Sequence, residues 1–141
     1  MSVADYMAAL LASPTLGAQV TCHRLLPAVP AVYAPTRLPW PAAIAKLLAE
    51  RGLGGLYSHQ ALATDHLRAG HSIVAATPTA SGKSLIYNLP VLERCLADPD
   101  ARALYLFPLK ALAQDQLAGF NALAAAWPPE VRPRAALYDG D

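Results

Sequence analysis

Apolar positions recur along this chain in two rhythms. The first is helical. Residues Ser2 to Ser13 form an Ala- and Leu-rich stretch that ends at Ser13-Pro14, and Trp40, Ile44, Leu47 and Leu48 mark one face of a helix opened by Pro41 and stopped near Gly52. A third helix is expected from Ser58, a natural N-cap, to Gly70. Leu85, Leu89, Leu92 and Leu96 define a fourth, and Leu112, Leu117, Phe120 and Leu123 a fifth running from about Lys110 to Ala126. The second rhythm is the short unbroken apolar run. Ile73–Ala76, Ala103–Phe107 and Ala135–Tyr138 read as strands, the second of them buried on both faces. Strands alternating with helices predict an α/β fold with right-handed crossovers and a parallel sheet of about three strands.

Between the first two helices the pattern disappears. Pro27, Pro30 and Pro35 punctuate residues 21–39, which excludes helix and weakens any central strand, so an extended arm is expected. The expected division is an N-terminal helix and arm over 1–36 and an α/β domain over 37–141.

Composition narrows the class. Charged residues make up 15% of the chain, against a typical ~25%, and the net charge is +1. That is not the electrostatic footprint of a stand-alone nucleic-acid binder, so any such contact must come from local geometry. Cys22 and Cys95 have no ligand spacing and are expected to be reduced, buried thiols; His23, His59, His66 and His71 show no catalytic or ligand pattern. Asp5 stands where a signal peptide would be basic, and no apolar run is long enough to span a bilayer. The expectation is a soluble, cytoplasmic protein with no membrane partner.

The chemistry lies in Thr77-Pro-Thr-Ala-Ser-Gly-Lys-Ser84, placed between an apolar run and a helix. A strand, a tight loop and a helix start point backbone N–H groups at an anion, and the helix dipole favours negative charge there. Thr79, Ala80, Ser81 and Gly82 would form the cradle, Lys83 would carry a cation to the outer phosphates, and Ser84 would ligate Mg²⁺. Thr77 replaces the first glycine of the strict motif.

These residues resemble the first RecA-like domain of superfamily 2 DEAD/DEAH-type helicases, which also lack that glycine. The wording Ala80-Ser-Gly-Lys-Ser84 followed by Tyr87-Asn-Leu-Pro-Val-Leu92 is similar to the subgroup carrying a C-terminal DUF1998-type cysteine cluster. It includes Pro90 in mid-helix, which costs ~3 kcal/mol in an ordinary helix. Leu56-Tyr57-Ser-His-Gln60 resembles the family's Q-type motif, which implies nucleotide contacts for Tyr57 and Gln60, the amide reading the adenine edge with both a donor and an acceptor. Phe107 to Gln114 is similar to motif Ia, which implies that Pro108, Lys110 and Gln114 meet a nucleic-acid strand, DNA rather than RNA. Tyr138-Asp-Gly-Asp141 resembles the start of the next contact motif, placing Asp139 and Gly140 at the same strand.

The resemblance implies the ATP-binding portion of a helicase, with ATP and Mg²⁺ as cofactors and Lys83 as its catalytic cation. No strand ends in an acidic pair, and the second RecA-like domain and cysteine cluster are not among these residues. An N-terminal fragment without turnover of its own is therefore expected, since hydrolysis needs carboxylates for the metal and the water. The other readings are a different P-loop NTPase or kinase, and a non-catalytic nucleotide- or nucleic-acid-binding module.

Overall fold

The computed structural model describes residues 1–78 and 81–138. The chain divides into two compact units, Met1–Pro30 and Ala31–Asp141.

In the first unit, helix α1 spans Val3–Ala12. Its start is a reciprocal box. The Asp5 N–H donates to Ser2 Oγ at 3.1 Å, and the Ser2 N–H donates to Asp5 Oδ2 at 2.8 Å. Hydrogen bonds from the Ser2 backbone N–H and the Ser2 side chain hold the Asp5 carboxyl below the usual carboxylate range. A 3-10 turn over Gly17–Gln19 follows. Cys22 is exposed, contrary to the buried thiol expected: the whole segment 21–30 lies open rather than packed on α1.

The second unit is built from four helices: α2 Ala42–Glu50, α3 Ser58–Arg68, α4 Lys83–Ala97 and α5 Lys110–Ala124. All four overlap helices expected from the sequence, α3 from its cap and glycine stop and the others from apolar periodicity. The core joins Ile44, Leu47 and Leu48 of α2 to Leu89 and Leu92 of α4 and to Phe120 and Ala124 of α5, with Trp127 closing the end. Leu112 is exposed, because α5 is buried only toward its C-terminal half. Gly52 takes φ +66° just past α2, the left-handed stop that residue type permits.

Arg68 staples three segments together. Its guanidinium donates to the Leu38 and Pro39 carbonyls at 2.7 and 3.0 Å, pairs with Glu93 at 2.8 Å and lies 4.6 Å above the Trp40 ring. Between α4 and α5, Tyr105 packs edge-on against Tyr87 and Phe120 and donates its hydroxyl to the buried Asn88 Oδ1 at 3.1 Å. Burial, reinforced by Tyr87 and Cys95, pushes the Tyr105 phenol well above the ordinary tyrosine range.

The strands differ from expectation. Among the described residues, strand pairing is confined to β1 Tyr33–Ala34 and β2 Leu56–Tyr57, joined antiparallel with Tyr33 opposite Tyr57 and Ala34 opposite Leu56. Part of the Pro-rich arm is thus a strand. The three apolar runs, Ile73–Ala76, Ala103–Phe107 and Ala135–Tyr138, carry no ladder among the described residues. A strand is defined by its partner's hydrogen bonds, so an apolar run alone does not make one. The second run still alternates. Tyr105 and Phe107 stack toward the helices, while Leu104 and Leu106 are each 83% exposed.

Candidate functional site

The fourth helix begins where its sequence changes from loop to apolar repeat. Gly82 is its N-cap, with φ 72° and ψ 29°. Two facts require glycine here. The left-handed backbone strains any residue with a Cβ, and an added Cβ would stand 2.5 Å from Gln60 Nε2.

Gln60 is 97% buried and both ends of its amide are engaged. Its Oε1 accepts the Tyr57 N–H at 2.9 Å, and its Nε2 donates to the Gly82 carbonyl at 2.9 Å. One amide hydrogen and one lone pair are left for a further partner. Tyr57, not Ser58, is the residue that caps α3, because the Gln60 side chain reaches back to the Tyr57 N–H. Beside Gln60, His59 Nε2 lies 3.0 Å from the Ser81 carbonyl oxygen. A carbonyl only accepts, so Nε2 carries the proton. The start of α3 therefore grips two successive carbonyls of the loop.

Lys83, the first residue of α4, folds back over the same loop. Its ammonium donates to the Thr77 and Pro78 carbonyls at 2.9 and 2.7 Å and reaches Ser81 Oγ at 3.4 Å. The Thr77 and Ser81 hydroxyls close the loop across its mouth at 2.6 Å. Ser84 follows Lys83 in the first turn, so a cation, a hard-oxygen hydroxyl and the orphan N–H groups of a helix start come together in one place. That set suits an anion of high charge density together with its counter-ion. Thr79 and Ala80 lie outside the described residues.

The second group of expected residues lies at the start of α5. Pro108 ends the 103–107 run, Leu109 is the N-cap with φ −132° and ψ 135°, and Lys110 opens the helix. Pro108, Lys110 and Gln114 are all exposed. Tyr87 of α4 donates to Gln116 Oε1 of α5 at 2.7 Å, linking the loop-bearing helix to this second element. Asp139 and Gly140 lie outside the described residues.

His59 had no role assigned from sequence, and no motif spacing could have supplied one. Its partner is 22 residues away, and only the fold brings them together. Among the described residues no cluster of His, Cys, Asp or Glu could hold a metal by itself, and no helix is long and apolar enough to cross a membrane.

The DEAD/DEAH box helicase family profile matches residues 57–141. The uncharacterized ATP-dependent helicase YprA of Bacillus subtilis is 49% identical over 94 residues, covering 67% of this chain and 12% of its own length. The ATP-dependent helicase hrq1 of Schizosaccharomyces pombe is 37% identical over 116 residues, 82% of this chain and 11% of its own. Among solved structures, the DUF1998 helicase MrfA bound to DNA superposes with a TM-score of 0.79 at 38% identity, covering 100% of this chain and 19% of MrfA. MrfA bound to DNA and AMPPNP gives 0.73 at 40% identity, over 89% of this chain and 17% of that one. The chain thus spans a small part of the length of each relative.

Proposed function

The chain belongs to the DEAD/DEAH box helicase family, and on that footing we propose that it carries the ATP-binding half-site and part of the strand-binding track of an ATP-dependent DNA helicase. The observation behind this reading is the loop closed by Thr77 and Ser81 over the Lys83 ammonium at the N-terminus of α4. A triphosphate entering it would displace the loop carbonyls from Lys83 and take the helix N–H groups in their place. Ser84 and the phosphate oxygens are the hard donors that Mg²⁺ prefers, and the ion supplies charge neutralisation between the outer phosphates when bound. Thr79 and Ala80 are assigned to the cradle by motif wording alone. The remaining amide hydrogen and lone pair of Gln60 face the base edge, with Tyr57 beside it.

Ile73–Ala76, Ala103–Phe107 and Ala135–Tyr138 serve as parallel strands of a RecA-like sheet. The alternation of the second run, with Leu104 and Leu106 exposed, supports this, as does the superposition on MrfA. Pro108, Lys110 and Gln114, with Asp139 and Gly140, meet the phosphates of one DNA strand through a helix start and a cation. The MrfA neighbours are bound to DNA, which favours DNA over RNA.

The 141 residues bind but do not turn over. Hydrolysis of this kind needs carboxylates for metal and water, and among the described residues Asp65, Glu93, Asp98, Asp100 and Asp115 sit on helices or in a turn. Equilibrium titration with Mg·ATP should show saturable binding that Lys83→Ala weakens at least tenfold, with no nucleic-acid-stimulated phosphate release. Equal binding by Lys83→Ala, or stimulated turnover abolished by it, would overturn this assignment.

A further inference from the structure

The arm before α2 reaches the phosphate loop through three rings. Tyr33 of β1 stacks on Tyr57 of β2, with centroids 5.2 Å apart and planes at 22°. Tyr57 in turn stacks on His59, at 5.8 Å and 13°. The column ends at the Ser81 carbonyl, 3.0 Å from His59 Nε2. Backbone bonds fix its base. The Ser58 N–H, an orphan donor of the α3 start, is taken by the Val32 carbonyl at 2.8 Å, and Tyr33 and Ala34 pair with Tyr57 and Leu56.

Resting on the nucleotide-binding reading above, we propose that residues 32–34 belong to the nucleotide site, and that His59 is a positioning residue for the phosphate loop, held in place by the Tyr33–Tyr57 stack. Three features lead there. An imidazole free to rotate would lose its bond to Ser81, and stacking on Tyr57 removes that rotation. Tyr57 is itself 36% exposed and would be loose without Tyr33 on its other face. The Ser81 carbonyl precedes Gly82, whose own carbonyl Gln60 holds, so the two side chains together set the peptide planes that aim the loop's N–H groups inward. The geometry makes His59 a holder of loop shape. It predicts equal effects on every ligand that uses the phosphate cradle, whatever base the ligand carries.

The test compares Mg·ATP, Mg·GTP and Mg·triphosphate by calorimetric titration of the whole chain. The variants are His59→Phe, which keeps a stacking ring but has no donor, with Tyr33→Ala, Tyr33→Phe and the double substitution Tyr33→Ala/His59→Phe. His59→Phe should weaken all three ligands in equal proportion, by about 5–10-fold for one lost hydrogen bond. Tyr33→Phe should match the wild type. Tyr33→Ala should weaken all three ligands, and should add nothing in the His59→Phe background, because both act through one bond. Tyr33 is exposed, so its replacement leaves the core intact if His59→Phe perturbs folding. A loss that spares triphosphate would mean that the rings touch the base, and additive losses would mean independent roles; either overturns the proposal. If the wild-type chain binds none of the three ligands, it is the nucleotide reading that has failed. Hydrogen exchange of the Leu85 amide, bonded to the Gly82 carbonyl, then decides the positioning role. Faster exchange in both Tyr33→Ala and His59→Phe sustains it, and unchanged exchange refutes it.

Discussion

Replacing Gly82 by Ala tests the structure at its most constrained point. Two separable penalties follow from the geometry. The backbone sits at φ 72° and ψ 29°, and a Cβ in the left-handed region costs about 1–2 kcal/mol. The new methyl would also stand 2.5 Å from Gln60 Nε2, the end of a flexible chain whose amide is held at both its oxygen and its nitrogen. Moving it breaks the bond to the Gly82 carbonyl and loosens the cap on Tyr57, about 1 kcal/mol for each bond disturbed. The sum is about 3–4 kcal/mol, or a fall in Tm of roughly 10–15 °C for a domain of this size. Denaturant melts of four chains resolve the two parts: wild type, Gly82→Ala, Gln60→Ala and the double substitution. In the Gln60→Ala background the clash is gone, so Gly82→Ala should cost only the ~1–2 kcal/mol of backbone strain. A penalty equal in both backgrounds, or a Gly82→Ala chain as stable as wild type, would refute the account of why glycine stands here.

Two further outcomes follow from the packing. Arg68→Ala should destabilise the chain by about 3 kcal/mol in a urea melt, since Glu93 and two carbonyls lose a largely buried partner, and Arg68→Lys should recover little because an ammonium has no fork. Tyr105 gives a pH dependence. Its folded phenol holds its proton more tightly than the unfolded one, so its contribution to stability is complete below the ordinary tyrosine pKa and is lost as pH rises above it. The urea midpoint should therefore fall in the alkaline limb above about pH 10, and fall less steeply in Tyr105→Phe.

Helices were the legible part of this fold. Ile44, Leu47, Leu89, Leu92 and Phe120 reach the core from positions that a 3.6-residue period marks directly, and the loop's Gly-Lys-Ser ends where α4 begins. Strands were legible only as apolar runs, because a ladder depends on a distant partner that local sequence does not encode. The pair that did form, Tyr33–Ala34 with Leu56–Tyr57, is two residues long on each side, too short for any period to register. Its prolines argued for an extended chain and concealed the pairing. At the site, Lys83 and Gln60 could be named from motif wording. Gln60's hold on the Gly82 carbonyl and His59's on Ser81 could not, since each joins residues 22 apart through a turn of backbone that only the folded chain defines.

The ammonium of Lys83 already has carbonyl partners, so on the proposed reading nucleotide entry would be an exchange. Phosphate oxygens would have to outcompete Thr77 and Pro78 for the same cation, and the affinity measured would be a difference between two sets of strong bonds.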